Sequence, residues 1–195
     1  MAMSLERRQQ VAAEKKTLIK EAALSLFDQK GYRDTTIEDI AKLAGISKGL
    51  VYKYFSSKKE ILLSFEDVIE ECGVALRAQK TPLDSLRLAA GRVLLDYGKT
   101  GYHAPMRVLI DCYTQGELTN EDLSSSYAFA DYGKREYGPL FKKGQEMGQI
   151  REGDPILMGD LLWHIIIGYA TQMVHTENNC ITEEMIDNIL SLFSV

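Results

Sequence analysis

Between residues 36 and 60 the chain places hydroxyls and ammonium groups at spacings that suit recognition of an anion. Ser47 stands where its side-chain oxygen can cap a helix by accepting a backbone N–H. Lys48 follows in the first turn of that helix, and from there a lysine reaches the acceptor edge of guanine. Tyr52 and Tyr54 carry hydroxyls suited to phosphate oxygens, and Lys53 between them adds positive charge. Gly49 costs ~1 kcal/mol against Ala inside a helix; its functional reading is a backbone that DNA can approach closely. Ser57 and Glu60 form a capping box that opens a further helix. The free N–H groups there, with Lys58, make an anion site suited to phosphate. A solvated lysine face and half-buried tyrosines would use the same residue types, so these spacings leave both readings open.

The elements that must position these residues are short helices. Thr36 can cap one, with Asp39 three residues on in a variant of the capping box. Ala41 is small where two helices cross, and Gly45 can take the positive φ of a sharp turn. Ile40, Ala44, Ile46, Val51 and Phe55 are the expected core between the two helices and a longer first one. That first helix is expected from about Ser4 to Lys30, with Leu18, Ile19, Ala22, Ala23, Leu26 and Phe27 on one face and Gly31 as its left-handed cap. Helices are expected at 36–44 and 47–54, and then a continuous one at 57–79.

The segment resembles the N-terminal domain of the TetR family of bacterial transcriptional regulators. The matching pieces are IKEAALSLF at 19–27, Lys30-Gly31-Tyr32, Thr35-Thr36-Ile37, Ile40-Ala41, Ala44 through Gly49, Val51-Tyr52, Tyr54-Phe55 and Ser57-Lys58-Lys59-Glu60. The resemblance implies that Ser47, Lys48, Gly49 and Lys53 contact bases or nearby backbone, and that Thr36, Tyr52, Tyr54 and Lys58 hold phosphates. It also implies a helical C-terminal domain that dimerises and binds an effector. The expected protein is a homodimeric repressor on a palindromic operator of duplex DNA, released by a small, largely apolar or aromatic ligand. An activator or partner-controlled regulator is the alternative, and outside that class an all-helical ligand carrier or enzyme.

Charge distribution agrees with a nucleic-acid partner better than total charge does. The 195 residues carry a net −5, yet residues 1–60 hold 12 Lys+Arg against 8 Asp+Glu, a net +4, and residues 61–195 hold 11 against 20, a net −9. Three cysteines, at 72, 112 and 180, are odd in number and far apart, which fits a reducing cytoplasm. No basic stretch followed by an apolar run opens the chain, so no secretory signal is expected. The longest nearly apolar run, 161–167, is too short for a membrane span. The histidines at 103, 164 and 175 have no metal spacing with the cysteines. Gly-rich phosphate loops and Gly-x-Ser-x-Gly are absent. Neither an enzyme, nor a metal, nor a cofactor is expected.

The remainder reads as helices near 82–99, 104–115, 121–148, 155–175 and 182–194, giving an all-α fold with domains at 1–56 and 57–195. Thr81-Pro82 and Asp154-Pro155 are cap-then-proline helix starts, and Pro139 should kink or split its helix. Segment 155–175 is apolar on nearly every face, and 182–194 has a stripe of Met185, Ile186, Ile189, Leu190 and Phe193. Two such helices suggest a homodimer interface made as a four-helix bundle. His164 reads as a core or interface histidine. Aromatic and soft residues crowd 82–165, and Tyr97, Met106, Tyr113, Tyr127 and Trp163 are the candidate pocket residues, with plain core packing the competing reading for each. The acidity of the body leans the effector toward a neutral or cationic molecule.

Overall fold

A computed structural model of the chain describes residues 5–95, 104–123, 129–173 and 181–195. Among these residues the secondary structure is helical, apart from one isolated antiparallel bridge between Ile150 and Ser194. The chain separates into two compact units, Met1–Phe65 and Glu66–Val195.

In the first unit α1 (Leu5–Lys30) supports α2 (Ile37–Leu43), α3 (Lys48–Tyr54) and α4 (Lys58–Leu63). Ile19, Ala23 and Phe27 of α1 are buried against Ile40, Val51, Phe55, Ile61 and Leu62. Thr36 caps α2 in the expected box: its hydroxyl oxygen accepts the Asp39 amide, and the Asp39 carboxylate accepts the Thr36 amide. Gly45 turns the chain at φ +64, where a side chain would be strained. Ser47 Oγ then accepts the Leu50 amide at 3.2 Å and starts α3. Of the five expected core residues, Ile40, Ala44, Val51 and Phe55 are buried and Ile46 is half-buried.

The continuous helix expected over 57–79 is instead two helices, α4 and α5 (Asp67–Arg77). The cause lies at Ser64. Lys20 Nζ donates to the Ser64 carbonyl at 2.6 Å, withdrawing the acceptor that a continuous helix would offer to the amide four residues on. The Ser64 hydroxyl donates back to the Ile61 carbonyl at 2.7 Å, a local bond that competes with the helical ladder. The amides of Phe65 and Ile69 accordingly close tight turns onto Leu62 and Glu66. The sequence pattern misses the break because an interior lysine of α1, with no local signal, makes it.

The second unit contains α5, α6 (Pro82–Leu94), α7 (Ala104–Thr114), α8 (Phe129–Tyr132), a π turn (Gly133–Tyr137), α9 (Gly138–Glu146), α10 (Pro155–Met173) and α11 (Glu183–Ser191). Thr81 and Asp154 cap α6 and α10 as expected: the Thr81 hydroxyl accepts the Asp84 amide, and Asp154 Oδ1 accepts the amides of Ile156 and Leu157. The helix expected to begin at 121 does not, because Asp122 Oδ2 accepts the amide and hydroxyl of Thr119 and holds a turn there. Pro139, lacking an N–H, sits in the first turn of α9 directly after the π turn.

Helix α10 is the hub on which α6, α7, α8, the π turn and α9 pack. Its Leu157, Leu161, His164, Gly168 and Gln172 form an exposed row, so burial on every side is not achieved within one chain. Leu157 and Leu161 are 63% and 52% exposed. The stripe of α11 needs a correction. Ile186, Ile189, Leu190 and Phe193 are buried in their own chain, where α11 packs on α6 and Phe193 meets Phe141 at 5.0 Å. This amphipathic helix found its apolar partner within the unit, so its stripe is not surface left for a second copy.

Candidate functional site

The first unit presents the N-terminal face of α3 to solvent. Ser47, Lys48, Gly49, Tyr52 and Lys53 are all exposed, and Tyr54 is half-buried. Gly49 is informative through what it lacks. Its φ is not positive, and a Cβ built there meets nothing within 4 Å. An alanine would fit there without strain and would favour the helix.

Two candidate lysines are engaged. Lys48 Nζ pairs with Glu38 Oε1 from the first turn of α2, and this hydrogen bond holds the Glu38 carboxyl below the ordinary range. Lys48 also lies 6.0 Å from the centre of the Tyr52 ring, and Lys53 lies 5.9 Å from that of Tyr54. Lys58 does more structural work than its spacing suggests. Its ammonium donates to the carbonyls of Tyr32, Arg33 and Thr35 at 2.6, 3.2 and 2.8 Å, and stands 4.2 Å from the centre of the Tyr32 ring. It ties the start of α4 to the loop between α1 and α2. In the Ser57 cap, Ser57 Oγ accepts the Glu60 amide, but the Glu60 carboxylate takes the amide and hydroxyl of Ser56 rather than the Ser57 amide. Thr36 is exposed, and its hydroxyl also donates to Asp39 Oδ2 at 2.7 Å.

The second unit holds a narrow cleft, part of it open to solvent, walled by α5, α6, α7, α8, the π turn and α10. Met106 and Trp163 are on its wall. Tyr113 is not; it packs on Phe129 with ring centres 5.1 Å apart, and its hydroxyl accepts from Asn120 Nδ2. Tyr97 and Tyr127 lie outside the described residues. The expectation omitted Cys72, Arg92, Tyr132 and Tyr137, which also line the cleft.

The π turn is what brings the two tyrosines together. Five residues along an α-helix turn a side chain by roughly 140° from its start, so Tyr132 and Tyr137 would diverge. A turn closed from i to i+5 realigns them, and their ring centres stand 5.7 Å apart, at 4.5 and 6.2 Å from Trp163. Trp163 is fixed by a bond from Nε1 to the Phe129 carbonyl at 2.9 Å. Burial pushes both phenols above their ordinary range, so each keeps its proton as a donor. Burial also pushes the Cys72 thiol up, although Arg92 beside it pulls the other way. This geometry exists because two backbones touch. A Cβ at Gly133 would meet the Gly159 carbonyl at 2.6 Å, and one at Gly159 would meet the Gly133 carbonyl at the same distance.

The sequence likeness to known proteins falls in the first unit. Residues 19–65 match the family described as bacterial regulatory proteins, tetR family. The chain is 57% identical over 51 residues to the uncharacterized HTH-type transcriptional regulator YuxN of Bacillus subtilis (strain 168), covering 26% of this chain and 18% of YuxN. The match thus spans less than a fifth of that relative's length. Among solved structures, FadR from Bacillus subtilis in complex with stearoyl-CoA superposes with TM-score 0.68 at 20% identity, covering 90% of this chain and 96% of that one. AibR in complex with isovaleryl coenzyme A and operator DNA superposes with TM-score 0.67 at 20% identity, covering 91% and 97%. At these identities the likeness is one of fold. No helix among the described residues is long and apolar enough to cross a membrane.

Proposed function

We propose, from the match of residues 19–65 to the tetR family of bacterial regulatory proteins, that the chain is a homodimeric, DNA-binding transcriptional repressor released by a small ligand. The observation that carries this reading is the exposed face of α3, with Ser47, Lys48, Gly49, Tyr52 and Lys53 on a unit of net charge +4. Helix α3 enters the major groove, where Lys48 reads base edges once it leaves Glu38. Tyr52, Tyr54 and Thr36 hold phosphates and set the register. Lys58 acts on DNA chiefly by fixing the loop that carries Thr36. Such a protein works in the cytoplasm.

Two copies meet through the exposed row of α10. Leu157, Leu161, His164, Gly168 and Gln172 recur at steps of four, three, four and four, the spacing of a helix-pairing seam. A dimer places two recognition helices on a palindrome, with half-sites one helical turn or a multiple apart. The ligand enters the cleft bordered by Trp163, Tyr132 and Tyr137 and favours a conformer unable to grip both half-sites. The coupling is reciprocal, so operator DNA weakens ligand binding by the same factor.

The test is selection of bound sequences from a random duplex pool, followed by titration over a range of salt concentrations. We expect selected sites with dyad symmetry and a steep fall of affinity with salt. Sites without symmetry, or salt-insensitive binding, overturn the reading.

A further inference from the structure

The cleft's polar groups are unusual in being donors. Tyr132 and Tyr137 keep their phenolic protons, and Cys72 keeps its thiol proton. Arg92, on α6, is part of the same wall, and its guanidinium hydrogen-bonds the Cys72 side chain. Its Nη1 is buried and makes no hydrogen bond to any described residue. No carboxylate is among the lining residues. A buried donor on a permanently charged group without an acceptor is costly to a fold, and burial leaves the neighbouring thiol uncharged, so Cys72 supplies no balancing anion. The net acidity of the unit, which leaned the ligand toward a cation, is not the charge that this wall presents.

We propose that the cleft takes a small carboxylic acid with an apolar or aromatic body, the carboxylate pairing with Arg92 and the body lying against Trp163, Tyr132 and Met106. This rests on the cleft being the effector site. A carboxylate suits it better than a phosphate, because a single guanidinium matches one negative charge and the rest of the wall is apolar; a second charge would be buried unpaired. The fork of the guanidinium also fits a carboxylate's two oxygens.

Trp163 is the chain's single tryptophan, so intrinsic fluorescence reads this cleft directly. The full-length protein is titrated with phenylacetate, 3-phenylpropionate and hexanoate, each beside its primary amide, an uncharged near-isostere. We expect at least one acid to bind about tenfold or more tightly than its amide, the scale of a charge-assisted hydrogen bond. That preference falls to near one in Arg92→Met and is partly kept in Arg92→Lys. Should Arg92→Met fail to fold by circular dichroism, Arg92→Gln takes its place against Arg92→Lys. Amides that bind as well as the acids overturn the charge assignment and leave the effector cleft standing. A preference that survives loss of the guanidinium overturns the role of Arg92. Failure of every acid and amide to perturb Trp163 overturns both readings together.

Discussion

The two units keep their chemistry on opposite sides of their surfaces. In Met1–Phe65 the apolar core is plain and the specialised groups face water: Lys48 on Glu38, Thr36 on Asp39, Lys53 beside Tyr54. In Glu66–Val195 the exposed groups are ordinary ion pairs, such as Arg77 with Glu70 and Arg87 with Asp187, and the specialised ones are internal. A surface that must meet a fixed polymer can be built from short capped helices, each determined by a few residues. An internal site for a small molecule must be built from side chains that pack and also leave space.

That contrast predicts unequal responses to substitution. Trp163→Ala removes a buried ring, its contacts with Phe129, Tyr132 and Tyr137, and its bond to the Phe129 carbonyl. We expect a loss of about 3–5 kcal/mol in denaturant unfolding followed by circular dichroism; a loss under 1 kcal/mol would mean that the aromatic cluster is not the core of its unit. Gly159→Ala forces a methyl against the backbone of Gly133 and Gly138 and should cost about 1–3 kcal/mol. An equal effect from Gly49→Ala, which places its methyl in open space, would erase the contrast; we expect that substitution to leave stability unchanged or raised and to weaken DNA binding.

Within the head the two engaged lysines should separate. Lys58→Met breaks three bonds to carbonyls, and we expect a stability loss of about 1.5–3 kcal/mol, with all duplexes bound more weakly. A salt slope reduced by about one unit with unchanged stability would instead make Lys58 a direct phosphate contact. Lys48→Ala should leave stability nearly untouched and relax preference at one or two base positions by ~1–3 kcal/mol each. Equal weakening on specific and random DNA would remove it from base reading.

The smallest effect is one of pH. Lys30 and then Thr36 hold the Asp39 carboxyl well below its usual range. A depressed carboxyl contributes stability above its unfolded pKa of about 4 and loses it as pH falls through the folded value. Acid unfolding of the wild type should therefore have a component below about pH 4 that Asp39→Asn lacks. Identical acid profiles would mean that the Thr36 cap works without its charge.

The helix-turn-helix was legible because each of its parts has a local cause: Thr36 with Asp39, Gly45, Ser47. The break between α4 and α5 was not, since Lys20 reaches Ser64 from 44 residues away. The cleft was half legible. Its aromatic richness was plain, but helical spacing places Tyr132 and Tyr137 on different faces, and only the π turn unites them. Arg92 gave no signal, because an arginine on an amphipathic helix reads as solvated. The stripe of α11 was read correctly as apolar and assigned to the wrong partner, because periodicity tells that a face is covered and not which chain covers it.

The π turn also decides which changes of length the helix that holds it can absorb. One surplus residue lies between Tyr132 and Tyr137, and the wide turn takes it up so that both rings share a side. Deleting Lys134 would leave the two tyrosines four residues apart, and an ordinary α turn would then carry them about 40° from one another, still on one face. Tightening the turn to α geometry with all five residues kept would instead swing Tyr137 about 140° from Tyr132 and strip the wall of one ring. The segment is a thread with one residue of slack: losing that residue takes up the slack, while losing the wide turn at constant length puts the thread out of phase.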